Sequence, residues 1–144
     1  MERGETGMTR AHARKQLKIL GYLQKWQRIL KLEDWQLCIE WSKEASPRDA
    51  TMMVWWPRHY QSVDITVYPC AFKRSPLVLE QTACHEMLHL LFAPEEDALV
   101  DLIGKETEVF RRWHDIQERT IDRLAVVLAN SFESKSEDAE TPAE

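Results

Sequence analysis

Within Cys84-His85-Glu86-Met87-Leu88-His89, two histidines and a glutamate stand in the pattern H-E-x-x-H. Residues four apart are neighbours on a helix, about 5–6 Å between Cβ atoms. Two imidazoles so placed can close on one zinc ion at about 2.0–2.1 Å per bond. Glu86 follows His85 by one residue, about 100° around the helix. That sets its carboxylate beside the metal, where it can take a proton from an activated water. With 5 His in the chain and 16 Glu, chance supplies the three fixed letters roughly 0.02 times. The flanks Gln81-Thr82-Ala83-Cys84 and Leu90-Leu91-Phe92 carry no charge, as a helix buried away from its metal requires. The pattern therefore implies a zinc site with Glu86 as general base toward a metal-activated water. The simpler alternative is an amphipathic helix with two incidental surface histidines.

An element must hold these groups in place. Ser75-Pro76 reads as an N-cap followed by proline at the first helical position, and Pro94 as a stop, so a helix is expected over 76–93. Upstream, a helix is expected from Thr9 to Leu32, with Ile19, Leu23, Trp26 and Leu30 on one face and Gly21 as its weak point. Between Arg10 and Lys31 there are seven Lys or Arg residues and no acid. A solvated helix face is the plainer reading of that run, and a surface for nucleic acid or another anionic partner is the sharper one.

Three strands are expected next, over Trp35–Trp41, Ala50–Trp56 and Ser62–Tyr68, forming a small, mostly antiparallel sheet. One edge strand would be free to pair with an extended peptide. After Pro94, the acidic Glu95-Glu96-Asp97 opens a short helical segment ending at Gly104. A last helix runs over 106–131, its core face made of Phe110, Trp113, Gln117, Ile121, Leu124 and Leu128. The fold class is α+β, with one domain over 9–131 between a loose N-terminus (1–8) and a disordered acidic tail (132–144).

Composition bounds the function. At 144 residues with a formal charge of −5, the chain holds one core and is not generally basic. No signal peptide and no membrane-spanning run is visible, and the three cysteines include no C-x-x-C pair, so a cytoplasmic setting with reduced thiols is expected. Cys84 adjoins His85 but points about 100° away from it, the position of a buried thiol. The six tryptophans read as core rather than as a ligand platform.

A third metal ligand is still needed. Gln117-Glu118-Arg119-Thr120-Ile121-Asp122 resembles the second motif of the gluzincin metallopeptidases, the thermolysin-like group, and in particular its minimal phage- and bacterium-type members. In architecture the resemblance covers residues 9–131; in motif it covers about eight residues. It implies Glu118 as third zinc ligand, Asp122 as partner of a ligand histidine, and a peptide or protein as substrate. The chain departs from the family where Gln117 replaces the asparagine before the ligand glutamate. It also ends without the C-terminal subdomain that carries an oxyanion-stabilising Tyr or His. Tyr60, Tyr68, His59 and Arg112 are the candidates for that role. His114, one turn before Glu118, is the alternative third ligand and would favour a SprT-like reading with a distant histidine. Two other readings stay open: a zinc-stabilised binding or assembly module without turnover, and a repressor- or DNA-associated zincin of the ImmA/IrrE sort.

Overall fold

The computed structural model describes residues 9–137. The expected loose N-terminus, and the expected tail beyond Glu137, lie outside the described residues. Helix α1 spans Arg10–Ile29 and begins where Thr9 Oγ1 accepts the His12 N–H at 3.2 Å. Ile19, Leu23 and Trp26 are fully buried along one stripe. At its end Lys31 takes a left-handed conformation (φ 55°), and the Leu32 N–H reaches back to the Gln27 carbonyl at 2.8 Å. The Lys31 N–H bonds the Arg28 carbonyl, completing a Schellman stop with lysine in the position glycine usually takes.

Strands β1 (Gln36–Trp41), β2 (Met52–Trp55) and β3 (Ser62–Val67) form a sheet in the order β1-β3-β2. Strand β2 pairs antiparallel with β3, placing Val54 opposite Ile65, but β1 pairs parallel with β3, placing Ile39 opposite Ile65. The sheet is thus mixed, not mostly antiparallel. Burial explains the order: Val63, Ile65 and Val67 are at most 1% exposed, so β3 takes the centre and the half-buried β1 and β2 take the edges. The Pro57–Tyr60 turn reverses the chain between β2 and β3, which leaves β1 parallel to β3. Alternation in a sequence shows which face of a strand is buried but not which strand lies beside it.

A short 3-10 helix (Pro69–Lys73) leads into α2, which spans Pro76–Ile103. Ser75 Oγ caps it by accepting the Val78 N–H at 3.3 Å. The expected stop at Pro94 does not occur, and the helix continues through it to Gly104. An interior proline removes one helix bond at a cost of about 3 kcal/mol. Here its ring lies on the exposed face, and the turn beyond it is anchored. Buried Asp97 accepts the His59 N–H at 3.0 Å and the Trp56 indole N–H at 3.4 Å. Gly104, at φ 71°, ends the helix as expected.

Helix α3 spans Glu108–Glu137, beyond the expected end at 131 and into the stretch expected as tail. Phe110, Gln117 and Ile121 are buried as expected, but the buried line continues through Ala125 and Ala129. Leu124 is exposed, and Leu128 and Trp113 are half-buried. Ala125 and Ala129 belong to the same core cluster as Leu79, Ala83 and Met87 of α2. The core places α1, α2 and α3 with one face of the sheet, α2 touching both other helices and β2. Among the described residues no helix is long and apolar enough to cross a membrane.

Candidate metal centre

The buried faces of α2 determine where its histidines point. Leu79, Ala83, Cys84, Met87, Leu88 and Leu90 are at most 2% exposed. His85 and His89 emerge from the remaining side, toward α3, with their Nε2 atoms 3.1 Å apart. Glu118 on α3 meets both: one carboxylate oxygen lies 3.1 Å from His89 Nε2 and the other 3.5 Å from His85 Nε2. These three residues offer ligand atoms within 4.8 Å of one another, a group that could hold a metal ion.

Asp122, one turn beyond Glu118, lies 2.8 Å from His85 Nδ1. A carboxylate at Nδ1 keeps the proton there and leaves the Nε2 lone pair facing the other two ligands. His114 also faces this region, but its Nε2 is 3.8 Å from Glu118 and it stands outside the three-residue group. The sequence left Glu118 and His114 open as third ligand; the geometry brings Glu118 to the two histidines.

The charges fit together. Glu118 is held well below the usual carboxylate range by its bonds to both histidines. Burial opposes charge on His85, yet the bond to Glu118 and the charges of Glu86, Glu118 and Asp122 outweigh it and raise its pKa. Glu86 is only 8% exposed, and burial pushes its carboxyl up to about 7 against the opposing pull of His85 and His89. Its other partner is the backbone N–H of Val54, on the edge strand β2. On the opposite side of α2, buried Glu80 pairs with Lys25 of α1, fixing the helix from behind. Cys84 lies in that interior, and burial pushes its thiol up to about 12.

His85, Glu86, His89 and Glu118 line a cleft of about 370 Å³ between β2, α2 and α3. Sequence reasoning missed much of its wall. Trp55 is 62% exposed and lines it, so this tryptophan is not the core residue expected, whereas half-buried Trp56 lines the cleft and also packs against the core. Trp26 and Trp35 are buried. Arg58, Glu96 and Lys105 also line the cleft; only the adjacent Trp55-Trp56 pair, ahead of a proline in an otherwise apolar strand, hinted at this wall. None of the four residues considered for an oxyanion lines it: His59 bonds Asp101 at 2.9 Å, Tyr68 OH meets Met53 Sδ at 3.5 Å, and Tyr60 and Arg112 are exposed. His114 does line it. Comparisons with protein-family models, with curated proteins and with solved structures found no match to this chain.

Proposed function

We propose that the protein is a zinc-dependent peptidase that hydrolyses peptide bonds, as the gluzincin resemblance implies. One observation carries this reading: His85, His89 and Glu118 converge while Glu86, buried, stands beside them without joining the group. The donor set fits zinc. Four ligands at about 2.0–2.1 Å in a tetrahedron lie roughly 3.3 Å apart; here the two Nε2 atoms are 3.1 Å apart, and each has one of the two Glu118 oxygens at 3.1 or 3.5 Å. Three protein ligands leave the fourth position that catalytic rather than structural zinc keeps open. When bound, the metal supplies a Lewis acid for the scissile carbonyl and makes water acidic enough to attack near neutrality.

The chain's own groups account for the proton. Glu86 takes one from the attacking water as its oxygen bonds the carbonyl carbon. As the C–N bond breaks, Glu86 returns that proton to the departing amine nitrogen, so an acid and an amine are released. The Val54 N–H holds the Glu86 carboxylate in the cleft meanwhile. Asp122 keeps His85 in the tautomer that presents Nε2. Strand β2 is an edge of the sheet and lines the cleft, so an extended peptide can lie along it by backbone hydrogen bonds.

The test is Glu86→Gln, assayed on a peptide library beside zinc content and melting temperature. The expected result is a fall in hydrolysis of about 10² or more, with zinc and fold retained. Activity that survives the change, or wild-type protein that binds zinc and cuts no peptide, contradicts the peptidase reading; the latter favours a binding module.

A further inference from the structure

The outer face of α1 breaks three helix rules together, and nothing among the described residues compensates. Arg10, Arg14 and Lys18 are exposed and spaced four apart, so like charges meet across successive turns, which weakens a helix. Arg10 stands in a first turn without any acid, where the helix dipole favours anions. Gly21 follows on the same face. A Cβ there would meet nothing within 4 Å, so packing does not ask for glycine, although alanine makes the stronger helix. Arg28 and Lys31 continue the line, opposite buried Ile19 and Trp26.

Among the described residues, the only α1 cation with a carboxylate partner is Lys25; Arg10, Arg14, Lys18, Arg28 and Lys31 have none. The Lys15 ammonium donates to the Arg74 carbonyl at 2.8 Å, which brings exposed Lys73 and Arg74 to the same end of α1. Charge is therefore segregated: a cationic ridge on a chain whose net charge is −5. Local rules broken together, with no compensation among the described residues, mark a functional surface.

We propose that this ridge binds the phosphodiester backbone of nucleic acid. At 1.5 Å per residue it runs about 30 Å, a straight line of cations suited to a polymer with regular negative charge. Arginine forks match phosphate oxygens in pairs. Gly21, in the middle of the ridge, leaves room for a backbone to come close. A membrane surface does not fit, because the apolar stripe of α1 is already buried and Leu17 is its only exposed large hydrophobic residue. The ridge offers no aromatic platform either, since His12 is stacked on Phe72 at 3.9 Å. Binding is thus to the backbone and indifferent to sequence. This proposal stands independently of the metal centre.

Fluorescence anisotropy on the full chain tests it, with labelled duplex DNA, duplex RNA and single-stranded DNA of about 20 nucleotides as probes. Binding should show a log–log salt dependence with a slope of about −0.9 per phosphate neutralised on a DNA duplex, about −4.5 for about five contacts. The probe that binds best identifies the form of nucleic acid. Arg14→Glu with Lys18→Glu should weaken binding by about tenfold or more and flatten the slope by about 2. Arg111→Glu with Arg123→Glu on α3 makes the same charge change and should shift affinity less than about threefold. Gly21→Gln, which alters no charge, should weaken binding several-fold, and circular dichroism checks that each variant is folded. No salt-dependent binding to any probe overturns the proposal, as does equal weakening by the α3 pair or unchanged affinity in Gly21→Gln. Tighter binding to poly-glutamate than to any nucleic acid would overturn it in favour of an acidic protein partner.

Discussion

The metal-facing side of α2 and the outer side of α1 treat charge in opposite ways. In the first region the groups around the two histidines have partners from another element. Glu118 meets two histidines, Asp122 meets His85, and Glu86 meets the Val54 N–H. In the second, five cations stand in a row with no carboxylate beside them among the described residues. Buried polar groups must be satisfied within the fold or they cost several kcal/mol. Exposed groups escape that constraint, so unbalanced charge can persist only at the surface. The pairing at the first region gives a group that could hold a metal ion, and the imbalance at the second is the ground of the nucleic-acid proposal.

Metal removal should produce the largest stability change and should affect the first region only. A ligand bound at a thousand times its dissociation constant stabilises the folded state by about 4 kcal/mol. Chelation should lower the melting temperature accordingly, and zinc should restore it; nucleic-acid affinity should not move. If chelation leaves the melting curve unchanged, the paired groups of the cleft hold no metal.

A smaller effect is expected where the two regions join. Among the described residues Lys25 is the one α1 cation with an acid partner, and that partner, Glu80, is buried in α2. Lys25→Met would leave a buried carboxylate alone, which should cost about 1–3 kcal/mol in denaturant unfolding. Arg28→Met, on the unpaired ridge, should cost less than about 0.5 kcal/mol. Equal costs for the two would erase the contrast.

The smallest changes should be gains. Gly21→Ala should stabilise the protein by up to about 1 kcal/mol, since its Cβ enters open space. Arg10→Glu should add about 0.3–1 kcal/mol by placing an anion in the first turn. Thermal melts that show either change to be destabilising would mean that the ridge has an internal structural purpose.

What could be read beforehand follows from the same physics. The H-E-x-x-H spacing, the Ser75 cap and the Gly104 stop are local, and local rules reach them. The parallel pairing of β1 with β3 depends on which strand is most buried, a comparison between segments. Continuation of α2 through Pro94 depends on Asp97 catching Trp56 and His59 from the sheet side. The drift of the buried line on α3 to Ala125 and Ala129 depends on which side of that helix meets the shared core. Each of these is a tertiary effect overriding a propensity. The cleft wall was least legible, because Val54 takes part through its backbone N–H, which no side-chain pattern reveals.

The central claim is that His85, His89 and Glu118 hold zinc with Asp122 behind them. Competitive zinc titration of wild type, Glu118→Ala, Asp122→Ala and His114→Ala tests it most directly. The expected order is graded: Glu118→Ala loses most of the affinity, Asp122→Ala loses about 10–100-fold, and His114→Ala changes little. Wild-type protein that takes up no zinc, or a series in which His114→Ala is the weakest binder, would contradict it.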